Sequence, residues 1–103
     1  MKYRFKLIFD LEKGYQGVIK VYQEAPDYTL VYKGDIDINH KDCKSVMIHH
    51  TLNESHIHSK YQDDIINNLV KRVLDIADIV YPMLGDDGSR FLSADTFEYS
   101  RED

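Results

Sequence analysis

All five histidines of the chain, His40, His49, His50, His56 and His58, fall within nineteen consecutive positions. If Ile57 faces a core, His56 and His58 project to one side together and present two imidazoles to one metal ion. His50 or Asp35 would add a third ligand. The cofactor expected under that reading is zinc or another divalent metal, held at the end of a sheet for a metal-dependent or histidine-based enzyme. Other features argue against it. Structural zinc sites take four ligands in two close pairs, and this chain has a single cysteine and no such pairing. No HExxH pair is present to build a catalytic zinc site on a helix. The more economical reading leaves these histidines as surface or margin residues.

Other chemistry finds less support. Cys43 stands among Lys41, Asp42 and Lys44, which read as a solvated loop without a family-type cysteine signature. A small buried hydrophobe is the commoner state of a lone cysteine. Asp35-Ile36-Asp37-Ile38-Asn39 begins like a calcium loop but places His40 where glycine belongs and Val46 where the closing glutamate belongs. Alternation of Asp with Ile instead describes a strand with one wet face. Gly85-Asp86-Asp87-Gly88 is a turn signature. No phosphate-cradling glycine loop or dinucleotide fingerprint occurs. No catalytic residue is assigned.

The elements that position these groups follow from periodicity. In SKYQDDIINNLVKRVLDIADIVY, residues 59–81, the side chains of Ile66, Leu69, Val70, Val73, Ile76, Ala77 and Val80 gather on one side of a helix. Asp64, Asn67, Asn68, Lys71, Arg72, Asp75 and Asp78 take the other side, with Ile79 as an apolar intruder. Ser59 and Gln62 have the spacing of a capping box, and Pro82 followed by Gly85 marks the exit. Before the helix, residues 1–52 read as an antiparallel sheet. Strands are expected at 2–9, with Tyr3, Phe5, Leu7 and Phe9 on one face, at 15–23, at 28–33, around Ile36 and Ile38, and at 45–52. Gly17 inside the second strand signals a bulge or a close backbone approach, and Gly34 a turn. Lys2, Arg4 and Lys6 on the outer face of the first strand read as edge protection.

The fold class expected is α+β: an antiparallel meander of four to five strands, then one long amphipathic helix packed on one sheet face, then an acidic C-terminal tail, residues 85–103, all in a single domain. The apolar arc of the helix is wider than one sheet face covers. Phe91, Leu92, Phe97 and Tyr99 of the tail, docked on the free side of the helix, or a second copy of the chain in a homodimer, would cover the rest.

Charge narrows the function classes. The chain of 103 residues has a net charge of −5. Eight acidic and eight basic side chains lie in residues 1–59, against ten acidic and five basic in residues 60–103, so the excess belongs to the second part. With no cluster of Lys and Arg to displace counterions, direct nucleic-acid binding is not expected. No stretch approaches the length of a membrane span, the apolar run of MKYRFKLIFD is too short for a signal peptide, and the absence of paired cysteines fits a reducing cytoplasm.

The reading these features favour is a small acidic, non-enzymatic module that binds a protein and regulates or inhibits it. A basic nucleic-acid-binding protein would suit as partner, with Asp75, Asp78, Asp86 and Asp87 as the contact residues. The analogy is with small phage and bacterial inhibitors that block nuclease-based defence by presenting an acidic, nucleic-acid-like surface. A metal-dependent enzyme using His50, His56 and His58, or a structural subunit of a larger assembly, are the alternatives. Under the metal reading, zinc or nickel raises the melting temperature of the protein. A flat response together with a metal-free elemental analysis rejects it.

Overall fold

Strict alternation of apolar and polar side chains makes Lys2–Glu12 a strand, β1, which buries Phe5, Leu7, Phe9 and Leu11 and turns Lys2, Arg4 and Lys6 to solvent. The computed structural model describes residues 2–12, 16–39, 48–50, 61–84 and 90–100. Within them, β1 is followed by β2 (Gln16–Glu24), β3 (Leu30–Asn39), the short β4 (Ile48–His50), a helix α1 (Gln62–Val80) and β5 (Arg90–Ser100). The strands form one antiparallel sheet in the order β4-β3-β2-β1-β5. The first four make a meander, and the chain then crosses one sheet face as α1 and returns beside β1 as β5. The α+β class and the single long helix agree with the sequence pattern.

The C-terminal segment differs from expectation. Phe91, Leu92, Phe97 and Tyr99 do not dock on the free side of the helix; they belong to β5, paired with β1 from Lys2↔Ser100 to Glu12↔Arg90. The alternation in β5 is masked because its inner face carries Ser93 and Asp95 between Phe91 and Phe97. This pairing also removes the edge-protection reading of Lys2, Arg4 and Lys6, since β1 lies inside the sheet. Lys2 pairs with Glu98 at 3.0 Å, and Arg4 reaches Glu98 and Glu24 at 3.8 Å each.

Both glycine signals have physical causes. A Cβ on Gly17 would lie 2.7 Å from the Asp10 carbonyl oxygen and 2.7 Å from Leu11 Cδ2, so Gly17 marks a close approach of β2 to β1. Gly34 does not turn the chain. It sits at φ 139° in β3, opposite Val21, where the β2–β3 register shifts by one residue and Lys33 is the extra one. The two expected strands on either side of Gly34 are therefore one bulged strand. Ahead of it, Ala25 and Thr29 close a turn in which Tyr28 takes φ 66° and Asp27 accepts hydrogen bonds from the backbone N–H and the hydroxyl of Thr29.

Helix α1 buries Ile65, Ile66, Leu69, Val73, Ala77 and Val80 against Phe5, Leu7, Phe9, Ile19, Val21, Ile36 and Ile38. Ile65, absent from the expected apolar face, is fully buried. The expected capping box is not what starts this helix: Ser59 lies outside the described residues, α1 begins at Gln62, and its N-cap is Tyr61 with no side-chain cap bond. At the other end Pro82 forces a short 3-10 turn, Tyr81–Met83, as its missing N–H and fixed φ require. Two tyrosines fasten the helix to the sheet, the Tyr81 hydroxyl donating to the Gln16 carbonyl at 2.7 Å and the Tyr99 hydroxyl donating to Asp64. Among the described residues the core holds no charged side chain, and no helix is long and apolar enough to cross a membrane.

Leu69→Ala removes a fully buried side chain from the helix–sheet seam and is expected to cost about 2–5 kcal/mol. Gly17→Ala is expected to cost about 1–3 kcal/mol, because the new methyl meets backbone as well as the Leu11 side chain. Urea unfolding followed by circular dichroism measures both.

Candidate protein-binding surface

One flank of α1 and the neighbouring edge of the sheet form a concave, mainly apolar surface. A cleft of about 580 Å³ lies between the C-terminal half of the helix and β5. Its lining includes Phe9, Ile76, Ile79, Met83, Leu84 and Phe91. Ile79 is 67% and Met83 77% exposed, so this flank stays apolar where it meets solvent. Arg72 closes one end by gripping Asp95 of β5 with two hydrogen bonds, Nε to Oδ2 at 2.8 Å and Nη2 to Oδ1 at 3.2 Å. Both partners are solvated, so the pair orients the helix on β5 more than it stabilises the fold.

The outward face of α1 carries the acidic side chains. Asp75 and Asp78 are exposed and one turn apart in its C-terminal half, and the last turn holds no basic residue. Asp78, in that last turn, opposes the helix dipole, whose C-terminal end favours cations, whereas Asp75 precedes it and has Arg72 one turn before it. Asp63 and Asp64 occupy the first turn, where the dipole favours them. Asp64 is drawn into local structure by the Tyr99 hydroxyl and by Asn68 Nδ2, which donates to the Asp64 carbonyl at 2.7 Å. Asp86 and Asp87 lie outside the described residues.

The other face of the sheet is solvated and charged. Arg90 donates to Asp10 through Nε at 3.2 Å and through Nη2, and Glu12 stands 3.5 Å from its Nε. Across the bulge Tyr22 and Tyr32 meet at 5.5 Å between ring centroids with their planes tilted by 58°, and the Tyr32 hydroxyl donates to Asp35. That hydrogen bond to the carboxylate pushes the Tyr32 phenol up to about 12.

The histidine reading falls largely on residues outside the description. His40, His56 and His58 lie outside the described residues, as does Cys43. In β4, the backbone register pairs His50 with Ile36 and His49 with Asp37. Asp35, the other expected ligand, stands opposite Lys20 and is engaged by Tyr32. Among the described residues no three His, Cys, Asp or Glu side chains come together as a metal site.

Sequence pattern thus located Asp75 and Asp78 on the wet face of the helix. It missed the cleft, since that depends on β5 lying beside the helix. Comparison with known protein families, characterised proteins and solved structures finds no match.

Because the folded chain holds the Tyr32 proton more tightly than the unfolded one, stability is expected to fall as pH rises from the ordinary tyrosine value of 10.0 through about 12. Ultraviolet titration of the phenols should include a late step belonging to Tyr32. Asp35→Asn should return it toward the ordinary value.

Proposed function

We propose that this chain is a non-enzymatic protein-binding module that regulates or inhibits a partner in the cytoplasm through the acidic outward face of α1. The observation that carries the reading is the position of Asp75 and Asp78. The exposed carboxylate of Asp78 sits in the last turn, at the negative end of the helix dipole and with no basic residue in that turn, a placement that costs stability, and exposed Asp75 lies one turn before it. A cost of this kind is offset when the carboxylates meet cations of another molecule. Ile79 lies beside Asp78 on the same helix and is exposed, so the surface offers an apolar contact next to charge, as protein interfaces do. The partner that fits is a basic protein surface, including the groove of a nucleic-acid-binding protein, and Asp86 and Asp87 would extend the contact.

The double variant Asp75→Lys/Asp78→Lys should leave the fold intact, with the change at Asp78 contributing about 0.3–1 kcal/mol of stability through the dipole. It should also abolish capture of the partner recovered by the unaltered protein, whose binding should weaken steeply with salt. Unchanged affinity in the double variant, with the same salt dependence, would overturn the proposal.

A further inference from the structure

The free side of β5 has a self-complementary pattern. In the sheet order β5 is terminal, and among the described residues no strand pairs beyond it, so alternate residues of its eleven present backbone donors and acceptors outward. A second strand added there must be antiparallel or parallel, and its register decides which side chains meet. For an identical β5 related by a twofold axis normal to the sheet, opposite residues must point to the same sheet face, so their positions must differ by an even number.

One register uses the sequence well. With Ala94 opposite Ala94 on the axis, Arg90 stands opposite Glu98, Phe91 opposite Phe97, Leu92 opposite Thr96 and Ser93 opposite Asp95, each twice by symmetry. Opposite charges and aromatic pairs directly across strands are the stabilising combinations, and the small residue falls on the axis. Sliding by one residue per strand in one direction sets Asp95 against Asp95 and Leu92 against Glu98. Sliding the other way sets Phe91 against Asp95 and Arg90 against Thr96. Both lose the complementarity.

The surroundings carry the same sign pattern. Arg90 is flanked within its own chain by Asp10 and Glu12, and Glu98 by Lys2 and Arg4. Across the proposed seam the order of charge is acidic, basic, acidic, basic. On the helix side, the twofold axis places both helices over the same face of the joined sheet. The cleft flanking β5, with its exposed Ile79 and Met83, then lies on the side where the partner's helix arrives.

We infer that β5 is a homodimerisation strand: two copies of the chain pair antiparallel through Arg90–Glu98, in the register centred on Ala94, to form one continuous sheet. The inference is independent of the acidic-face reading, because its readout needs no other protein.

Ala94 is exposed and tolerates a polar side chain in the monomer. Ala94→Lys and Ala94→Glu each place like charges face to face on the axis, and each should weaken self-association about fivefold in sedimentation equilibrium, whereas neutral Ala94→Gln should not. An equimolar mixture of the Lys and Glu variants should associate about tenfold more tightly than either alone, a rescue that misfolded variants cannot give. A wild-type chain that stays monomeric at its highest soluble concentration would overturn the inference. So would equal association of all three variants, or a mixture no tighter than its components.

Discussion

The pairing of β1 with β5 is the constraint on which the other parts depend. It runs through eleven consecutive residue pairs and is reinforced on the helix side by aromatic contacts. Tyr3 meets Tyr99 at 6.4 Å, Phe5 meets Phe97 at 6.1 Å and Phe9 meets Phe91 diagonally at 6.4 Å between centroids. Such contacts contribute roughly 0.5–1.5 kcal/mol each beyond the area they bury. With β5 in place β1 has neighbours on both sides and its apolar row is enclosed. Without it, Phe5, Leu7 and Phe9 would sit at a sheet margin, and the helix would overhang it.

The helix is held to this sheet mainly by shape. Leu69, Val73 and Ala77 are fully buried, and the two tyrosine hydroxyls at its margins satisfy polar groups where the seam meets water. Ala77 is small on the inner side of the helix, which lets the helix lie close. Gly17 plays the corresponding role in the sheet, where any side chain would collide with β1. The Gly34 bulge follows from the same geometry, because inserting Lys33 changes the register of β3 while keeping Ile36 and Ile38 inward.

What could be read from sequence follows how locally each feature is encoded. β1 and α1 carry their own periodicity, so their buried faces were legible apart from Leu11, beyond the expected end of the first strand, and Ile65, outside the expected apolar face. Gly34 is ambiguous by nature: a glycine between apolar runs fits a turn or a bulge, and only pairing with β2 decides. β5 was hidden because Ser93 and Asp95 interrupt its inner face. Asp95 is tolerated there because Arg72 reaches across from the helix, a contact twenty-three positions apart in sequence. For the candidate surface, the wet positions of Asp75 and Asp78 were legible and the adjacent cleft was not, since it arises between two elements.

The two surfaces argued for function share a physical character. In a small domain the core fixes most choices, and consistency of local preference with the fold is the rule. The last turn of α1 departs from it by carrying Asp78 where the dipole disfavours acid. Among the described residues, the sheet edge departs from it by leaving the outer side of β5 without a neighbouring strand, with no proline in β5 and its inward charge, Asp95, already held by Arg72. Each departure lies on the outside of an element whose inside is well packed, so neither is explained by the demands of the core. Each becomes favourable once another polypeptide supplies cations for the helix face or a matching strand for the edge. The two surfaces also diverge in direction, one pointing away from the sheet and the other along its plane, which lets a pair joined through β5 present two acidic helix faces side by side.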